Sequence, residues 1–368
     1  MTPGSSFELL AEDGAARSGR LRTPHGSVET PAFMPVATYG AVRGLGPEAL
    51  SGIGAQMLLA NTYHLHERPG EQPIRALGGL HGFTGWRGPW LTDSGGYQVF
   101  SLGDRMQLDE HGVTFQSPLD GARRRLTPEG VIAIQEALGP DVAMVLDECP
   151  AADADESHVR ASTERTLRWA ERAAAARQRS DQWVFGIVQG GSLPALRRES
   201  ARATVALGFD GYAHGGLGLG EEPARRADLV AEVNAELPRQ APRYLMGLGR
   251  PEDLLSAVAR GVDLFDCVLP TRHGRHGVLF THDGLLHVKN ARFKDDPAPP
   301  DPRCDCPVCG RHSRAYLRHL IHSGEVLGAS LASLHNLRFY LRLLEDTRRA
   351  IRAGRFAAFV RESGLELA

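Results

Sequence analysis

The sequence lacks the features that mark a membrane-embedded or exported chain. No apolar run reaches about 18 residues, the length that a transmembrane helix needs. Residues 1–20 hold no apolar core of the kind found in secretory signal peptides. From these two absences we expect a cytoplasmic protein with no membrane span. Lysine is scarce as well: Lys289 and Lys294 are the only two among 42 basic residues, a bias that we interpret as compositional rather than functional.

The composition is otherwise that of an ordinary globular chain. Of the 368 residues, 42% are hydrophobic and 23% are charged, which excludes a disordered, collagen-like or coiled-coil protein. This length suits one large domain or two smaller ones. The formal net charge is −2, yet residues 301–368 carry eleven arginines against seven acidic residues. An acidic body with a basic C-terminal region permits a nucleic-acid partner.

Short apolar runs alternate with helical stretches along most of the chain. Residues 55–60, 142–146, 183–188 and 262–265, for example, are apolar runs that each end at a polar residue. Roughly seven or eight repeats of strand, polar tip and helix predict an α/β fold, a closed (β/α)8 TIM barrel. A doubly wound open sheet is the alternative. Against it, no G-x-G-x-x-G motif opens a helix after the first strand, and GGLGLG at 215–220 fails that pattern.

Three of the five cysteines lie within six residues, at Cys304, Cys306 and Cys309. Clustered thiols in a chain without a signal peptide suggest a metal site rather than disulfides, with unliganded buried thiols as the alternative. A tetrahedral zinc site needs a fourth ligand, and the candidates are four histidines: His312, His319, His322 and His335. His335 is best placed to return from a following helix. Because four protein ligands leave no open position, we predict one structural Zn²⁺ per chain.

Two segments divide the predicted architecture. Residues 106–125 predict a β-hairpin that interrupts the barrel, and the proline-rich segment 294–302 predicts a stiff connector. We therefore predict a barrel with hairpin insertions over residues 1–293 and a zinc-binding subdomain over 294–345. Residues 346–368 are predicted as a C-terminal helix that packs back on the barrel.

Polar side chains occupy the tips of four predicted strands: Asp93, Asp147, Gln189 and Asp266. Taken one at a time, each of these residues is explained equally well by a structural role, such as capping a turn or bracing a loop. In one barrel mouth, three carboxylates and an amide would be costly unless a ligand used them. Two carboxylates can divide glycosidic chemistry between a nucleophile and an acid/base, and the arginines of segment 271–275 could hold phosphates beside them.

Eight motifs carry a resemblance that covers nearly the whole chain, in order and with suitable spacing. They are NTYH at 61–64, DSGGYQ at 93–98, DEC at 147–149, QGG at 189–191, GGLGLGE at 215–221, YLMGLG at 244–249, FDCVLPTR at 265–272, and CDCPVC at 304–309 with His335. In them the chain resembles the tRNA-guanine transglycosylases, or queuine tRNA-ribosyltransferases, in their bacterial form. The resemblance implies a TIM barrel with a C-terminal zinc subdomain, in a homodimer.

The resemblance also implies an activity in queuosine biosynthesis. Guanine at the anticodon wobble position (34) of tRNA is exchanged for 7-aminomethyl-7-deazaguanine (preQ1). The exchange is a double displacement through a covalent enzyme–RNA intermediate. By the same match, Asp266 is the nucleophile that attacks the ribose C1′, and Asp93 is the general acid/base at N9 of the leaving and entering bases.

The remaining matched residues bind base, RNA or zinc. Asp147 is expected to accept hydrogen bonds from the guanine N1–H and amine. Gln189 and the Gly216 N–H are expected to donate to O6. Tyr97 and Met246 are expected to enclose the ring. The full set for the base is Asp93, Ser94, Gly95, Gly96, Tyr97, Asp147, Gln189, Gly216, Leu217 and Met246. The set for RNA is Gly247, Gly249, Arg250, Thr271, Arg272 and Arg275. The zinc ligands are Cys304, Cys306, Cys309 and His335.

Four residues depart from the family pattern, and three other functions are alternatives to the one that the resemblance implies. His273 and His276 stand where Asn or Ser is expected, and Gly218 and Leu219 stand near the 7-substituent of the base. The alternatives are the same chemistry with queuine or 7-cyano-7-deazaguanine (preQ0), a non-catalytic tRNA-binding subunit, or a metal-dependent barrel hydrolase. The presence of both proposed catalytic acids argues against the subunit. The hydrolase has too few strand-tip ligands, because only His64 and His214 come close.

Overall fold

Eight parallel strands form the centre of the computed structural model, which describes residues 6–100, 103, 106–151, 153–365 and 367. Each strand pairs with its neighbours in chain order, and the last pairs with the first. A bridge between Val36 and Leu59 joins the remaining edges, so the predicted TIM barrel is confirmed and the open sheet is wrong. The barrel strands are Ala32–Pro35, Leu58–Asn61, Trp90–Asp93, Val142–Met144, Trp183–Val188, Gly211–His214, Arg243–Leu245 and Leu264–Cys267.

Helices follow most barrel strands. Proline in the first turn begins several of them, because its fixed φ suits that position and its missing N–H would have no partner there. The helices are Pro47–Gly52, Thr62–Glu67, Glu71–Ala76, Gly79–Thr84, Gly96–Phe100, Pro128–Leu138, Glu156–Ala176, Pro194–Ala206, Pro223–Glu236, Pro251–Val258, Leu269–Arg275, Arg314–His322, Val326–Arg352 and Phe356–Ser363. A 3₁₀ turn covers Ala291–Phe293. No helix in the described part of the chain has the length and apolarity to cross a membrane.

Side chains cap several of these helices. The Thr127 hydroxyl accepts from the Gly130 N–H at 3.0 Å at the start of the helix Pro128–Leu138. The Asp155 carboxylate accepts from the His158 N–H at 2.8 Å at the start of the helix Glu156–Ala176. Among the described residues, no side chain caps the helix Pro194–Ala206, where Leu193 holds the cap position.

Three antiparallel sheets are added to the barrel. The N-terminal one contains Ser6–Asp13, Ala16–Thr23 and Gly26–Thr30; the second contains Met106–Asp109, Gly112–Gln116 and Arg123–Leu126; the third contains Val278–Thr281 and Gly284–His287. The predicted hairpin at 106–125 is therefore part of a three-stranded sheet. From the N-terminal sheet, Arg17 donates to both carboxylate oxygens of Asp263 at 2.9 and 2.7 Å, which anchors the start of the last barrel strand.

Two stacked histidines join the N-terminal sheet to the bottom of the barrel. The rings of His25 and His81 lie 3.4 Å apart and nearly parallel. Each ring faces a different oxygen of buried Asp141, which also accepts from the Trp90 N–H at 2.9 Å. Burial opposes ionisation of Asp141, but these hydrogen bonds outweigh it and lower its pKa. The His25 ring and the Trp90 N–H both form hydrogen bonds with Asp141, so we interpret this cluster as a structural joint at the N-terminal ends of the barrel strands.

The C-terminal part combines a small apolar cluster with a long helix. Leu279, Val288 and Val308 pack with Cys306 in a cluster separate from the barrel core. The helix Val326–Arg352 contributes to both this cluster and the barrel core, so it runs across residue 345. The division into residues 1–293, 294–345 and 346–368 stays a prediction.

Candidate active site

The three strand-tip carboxylates open into one cavity of about 450 Å³ at the C-terminal ends of the barrel strands. Most of the residues predicted from sequence line it: Asp93, Ser94, Gly95, Gly96, Tyr97, Asp147, Gly216, Leu217, Met246, Gly247, Asp266 and Arg272. Gln189 lies buried behind this wall. The predicted RNA-binding residues outside the lining are Gly249, Arg250, Thr271 and Arg275.

Asp93, the last residue of the third barrel strand, is held by four donors. Its Oδ1 accepts from the backbone N–H groups of Thr62 and Gly95 at 3.0 and 3.2 Å. Its Oδ2 accepts from the side-chain amides of Asn61 and Gln98, the latter at 3.0 Å. Burial raises the pKa of Asp93 to about 6 against these hydrogen bonds, and the charge of Asp266 adds to the rise. A carboxyl group with this pKa can exchange a proton near neutral pH.

Asp266, on the last barrel strand, has a different arrangement of donors. Its Oδ1 accepts from the Tyr244 hydroxyl at 2.6 Å and from the Gly247 N–H at 2.7 Å. Within the described residues, its Oδ2 has no hydrogen-bond partner. Burial raises the pKa of Asp266, while both hydrogen bonds oppose the rise. One oxygen is therefore fixed and the other is left for a ligand in the cavity.

Asp147 follows the fourth barrel strand and pairs with an amide from the fifth. The Gln189 Nε2 donates to Asp147 Oδ2 at 2.6 Å, while Gln189 Oε1 is buried and has no partner among the described residues. Burial raises the pKa of Asp147 to about 6. Cys149 lines the same wall, and burial raises its thiol pKa to about 12, so it is a neutral packing residue. This corner presents acceptor oxygens to a ligand that carries N–H groups.

Apolar side chains and glycines line much of the cavity between its polar groups. Tyr97 is 61% exposed, and both Tyr97 and Met246 line the cavity. Gly96 lies so close to the Asp147 backbone that an added Cβ would be 3.0 Å from its carbonyl oxygen. At Gly218, an added Cβ would be 2.6 Å from the Leu248 side chain, so glycine leaves that space to Leu248.

Four supporting residues were not predicted as individual site residues: Asn61, Gln98, Tyr244 and Arg197. Asn61 pairs in register with Asp93 on the neighbouring strand, which brings its amide to the carboxylate. That contact could have been found by aligning the tips of the predicted strands. Tyr244 is two residues before Met246, but nothing in the sequence connects its hydroxyl to Asp266.

Cations gather beside the cavity without carboxylate partners. Burial and the neighbouring charges of Arg43 and Arg272 lower the pKa of Arg275. Within the described chain, none of these three arginines, nor Arg250, forms an ion pair. The positive charges of these arginines repel one another, and a bound anion relieves that repulsion. The helix Leu269–Arg275, which carries two of these arginines, therefore presents positive charge to a polyanion.

The two histidines that depart from the family pattern have structural contacts. His273 stacks on Phe280, with ring centroids 5.3 Å apart, and burial lowers its pKa. His276 Nδ1 lies 2.7 Å from the Arg272 carbonyl oxygen. Both contacts hold the helix Leu269–Arg275 in place.

The predicted metal ligands converge: Cys304, Cys306, Cys309 and His335 offer ligand atoms within 4.8 Å of one another. His335 Nδ1 lies 3.5 Å from Cys306 Sγ and 3.2 Å from Cys309 Sγ. Its Nε2 lies 2.8 Å from the Phe280 carbonyl oxygen, which orients the ring with Nδ1 toward the thiols. Hydrogen bonds from the other two thiols lower the pKa of Cys306. This donor set and this outer contact fit a metal ion.

Comparison with known proteins agrees with the resemblance seen in the sequence. A family model described as "Queuine tRNA-ribosyltransferase" matches residues 12–365. A protein of that name from Thermus thermophilus is 56% identical over 356 residues, which cover 97% of this chain and 92% of the relative. Proteins of the same name from Thioalkalivibrio sulfidiphilus and Moorella thermoacetica are 52% and 51% identical, over 97% and 96% of this chain and 96% and 95% of their own lengths.

Proposed function

Because the chain belongs to the queuine tRNA-ribosyltransferase family, we propose that it replaces guanine at wobble position 34 of tRNA with preQ1 in queuosine biosynthesis. The proposed place of action is the cytoplasm. One observation carries the proposal: the buried carboxyl group of Asp93 and the partly buried one of Asp266 share a cavity but have different hydrogen-bond surroundings. Such a difference allows one carboxylate to act as a nucleophile and the other to transfer protons.

Asp266 is the proposed nucleophile. With Oδ1 fixed by Tyr244 and Gly247, the free Oδ2 attacks the ribose C1′ of nucleotide 34. The C1′–N9 bond breaks as the C1′–O bond forms, and RNA stays attached to the enzyme as a glycosyl ester. The N9 of preQ1 then attacks C1′ and releases Asp266. Two displacements give overall retention, and the ester keeps the reaction independent of ATP.

Asp93 is the proposed general acid/base. It gives a proton to the guanine as the guanine leaves and takes the N9 proton of preQ1 as that base attacks, so the proton balance closes over one exchange. A pKa of about 6 supports this role, because both protonation states are accessible near neutral pH. The donors around Asp93 also keep its position fixed between the two steps.

The base is proposed to lie between Tyr97 and Met246. Asp147 accepts from its N1–H and exocyclic amine, and the Gly216 N–H donates to O6. The amide of Gln189 is engaged with Asp147, so it orients that carboxylate and has its second N–H left for O6. A site built from such groups discriminates strongly against a ring that leaves them unpaired.

The anticodon loop is proposed to lie over the cationic rim. Arg250, Arg272 and Arg275 contact phosphates that flank nucleotide 34, with the backbone of Gly247, Gly249 and Thr271 alongside. The absence of ion pairs among the described contacts of these arginines supports the assignment. An unpaired loop suits the enzyme because its base leaves the stack at low cost.

The metal is proposed to be zinc, held by Cys304, Cys306, Cys309 and His335. A bound zinc ion would fix these four side chains and leave no position for substrate, so its contribution is structural. His335 lies on the long helix beside Asn336, which donates to the Pro270 and Val278 carbonyls at 2.9 Å. The site therefore supports the helix that carries Arg272.

A homodimer is also proposed. Tyr316, Val326 and Leu327 leave apolar surface exposed at the N-terminal ends of two consecutive C-terminal helices. Light scattering after size-exclusion chromatography would give twice the monomer mass. A monomeric mass at micromolar concentration would contradict it.

Base exchange on defined tRNA tests the proposed function. Transcripts with G34 should incorporate labelled guanine, and preQ1 should then displace the label. An otherwise identical transcript with A34 should incorporate none, and Asp266→Asn enzyme should be inactive on both. Failure to incorporate guanine at position 34 would overturn the proposal.

A second base is the main competing possibility. Gly218 and Leu219 line the cavity, and glycine at 218 lets Leu248 fill part of the wall. The same assay with preQ0 and queuine separates these cases. If preQ0 or queuine displaces the labelled guanine efficiently and preQ1 does not, the incoming base is reassigned and the proposed base-exchange reaction stands.

A further inference from the structure

A buried arginine lies directly behind the base-binding wall of the cavity. Arg197 belongs to the helix Pro194–Ala206, and its side chain is 0% exposed. No described carboxylate forms an ion pair with it. Three backbone carbonyl oxygens accept its hydrogen bonds instead, those of Gly191, Gly215 and Gly216. A buried cation without an anionic partner lowers the stability of the fold, so its presence beside a binding site indicates a functional role.

The guanidinium of Arg197 connects two glycine loops that follow neighbouring barrel strands. Its Nε donates to the Gly191 carbonyl at 2.6 Å, and its Nη2 donates to the Gly215 carbonyl at 2.9 Å. Gly190 lies against the arginine itself, where an added Cβ would be 2.8 Å from Arg197 Cγ. Arg197 therefore fixes the ends of the fifth and sixth barrel strands relative to each other.

The bond to Gly215 fixes the direction of one N–H group in the cavity wall. The Gly215 C=O and the Gly216 N–H belong to one trans peptide unit, so they point in opposite directions. With the carbonyl turned toward Arg197, the N–H turns toward the cavity, where no described group accepts from it. Gly216 has a φ of +64°, and an added Cβ would be 2.5 Å from Gln189 Oε1, so this conformation requires glycine.

We infer that Arg197 is a positioning residue that aims and polarises the Gly216 N–H for the 6-oxo group of the base. The inference rests on the proposed function, in which that N–H donates to O6. A cation bound to the carbonyl side of a peptide withdraws electron density from its N–H and strengthens the hydrogen bond that the N–H donates. Arg197 thereby favours purines that carry an acceptor at C6 over those that carry an amine.

Competition by three free bases tests this role. Guanine and hypoxanthine both carry O6, whereas 6-thioguanine carries sulfur, a poorer acceptor, and keeps the N1–H and amine that face Asp147. Inhibition constants are measured against tRNA for wild type, Arg197→Met and Arg197→Lys. Arg198→Met is the matched control, because Arg198 is the next residue of the same helix and pairs with Glu232 at the surface.

Arg197→Met should lower the affinity for guanine and for hypoxanthine about tenfold each, which is the effect of losing one good hydrogen bond. The affinity for 6-thioguanine should fall by less than about threefold. Arg197→Lys keeps the charge but cannot hold both loops, so its affinity for guanine and hypoxanthine should fall about threefold. Affinity for tRNA should stay unchanged in every variant, and Arg198→Met should match wild type.

An equal loss for all three bases would reduce Arg197 to a support of the fold and overturn the inference, as would unchanged affinities. If Arg197→Met does not fold, the ratio of guanine to 6-thioguanine affinity in Arg197→Lys decides: a fall supports the inference and an unchanged ratio overturns it. Wild-type protein that binds none of the three bases would overturn the proposed function and this inference together. Wild-type binding with unchanged variants overturns the inference alone.

Discussion

Replacing Asp147 by asparagine should stabilise the protein, and the gain should grow with pH. Asp147 is 7% exposed, and burial raises its pKa from 3.8 to about 6. A raised pKa means that the folded state binds the proton more tightly than the unfolded state. Stability from this group is therefore highest below pH 3.8, falls as the pH rises, and reaches its full loss above pH 6.

The size of the effect follows from the pKa shift. A rise of about two pH units corresponds to about 3 kcal/mol of lost stability at pH 8, since one unit is worth about 1.4 kcal/mol. Asparagine has the same shape, still accepts from Gln189, and carries no charge, so Asp147→Asn avoids this loss. For a chain of 368 residues, an unfolding entropy of about 2.1 cal/mol/K per residue converts 3 kcal/mol into about 4 °C of Tm.

Thermal unfolding of wild type and Asp147→Asn between pH 5 and pH 8 checks this reasoning. The difference in Tm should rise from about 2 °C at pH 5 to about 4 °C at pH 8. Asp283→Asn is the control, because the side chain of Asp283 is 80% exposed and its replacement should give a small difference that does not vary with pH. A pH-independent difference for Asp147→Asn, or a lower Tm at pH 8, would refute the assignment of Asp147 as a buried carboxylate kept for binding.

Three other predictions concern the metal, the nucleophile and the rim. Metal analysis should find about one zinc per chain, and Cys306→Ala should lose it and unfold the C-terminal part before the barrel; full activity of zinc-free protein would contradict this. Tyr244→Phe removes one of two donors to Asp266, so kcat should fall about tenfold or more while the KM for the base stays within about twofold; a change in KM alone would reject this role. Arg272→Ala should weaken tRNA binding and reduce the slope of log affinity against log salt by about 0.7, and an unchanged slope would remove Arg272 from the phosphate contacts.

Sequence reasoning found the features that repeat or cluster along the chain. The barrel followed from alternating apolar runs and helices, and the strand-tip rule then located Asp93, Asp147 and Asp266 without any contact information. The candidate metal site followed from the spacing of three cysteines. His335 was harder, because 26 residues separate it from Cys309 and only a helix returning to the cluster brings it close.

Features that depend on long-range contacts were missed. The three N-terminal strands alternate polar and apolar residues poorly, and Arg17 meets Asp263 across 246 positions of sequence. The strand Ala32–Pro35 has four residues and no polar tip, so it gave no signal. In the sequence, nothing distinguishes Arg197 from the other arginines of the helix Pro194–Ala206. Only the folded chain brings its guanidinium to the Gly215 carbonyl.

Mass spectrometry of the denatured enzyme after mixing with tRNA tests the central claim most directly. If the Asp266 carboxylate attacks C1′ and guanine leaves, wild-type protein should gain the mass of one tRNA minus one guanine. Asp266→Asn should gain nothing, because an amide is a poor nucleophile. An adduct on Asp266→Asn equal to that on wild type, or none on wild type that exchanges base, would contradict the account.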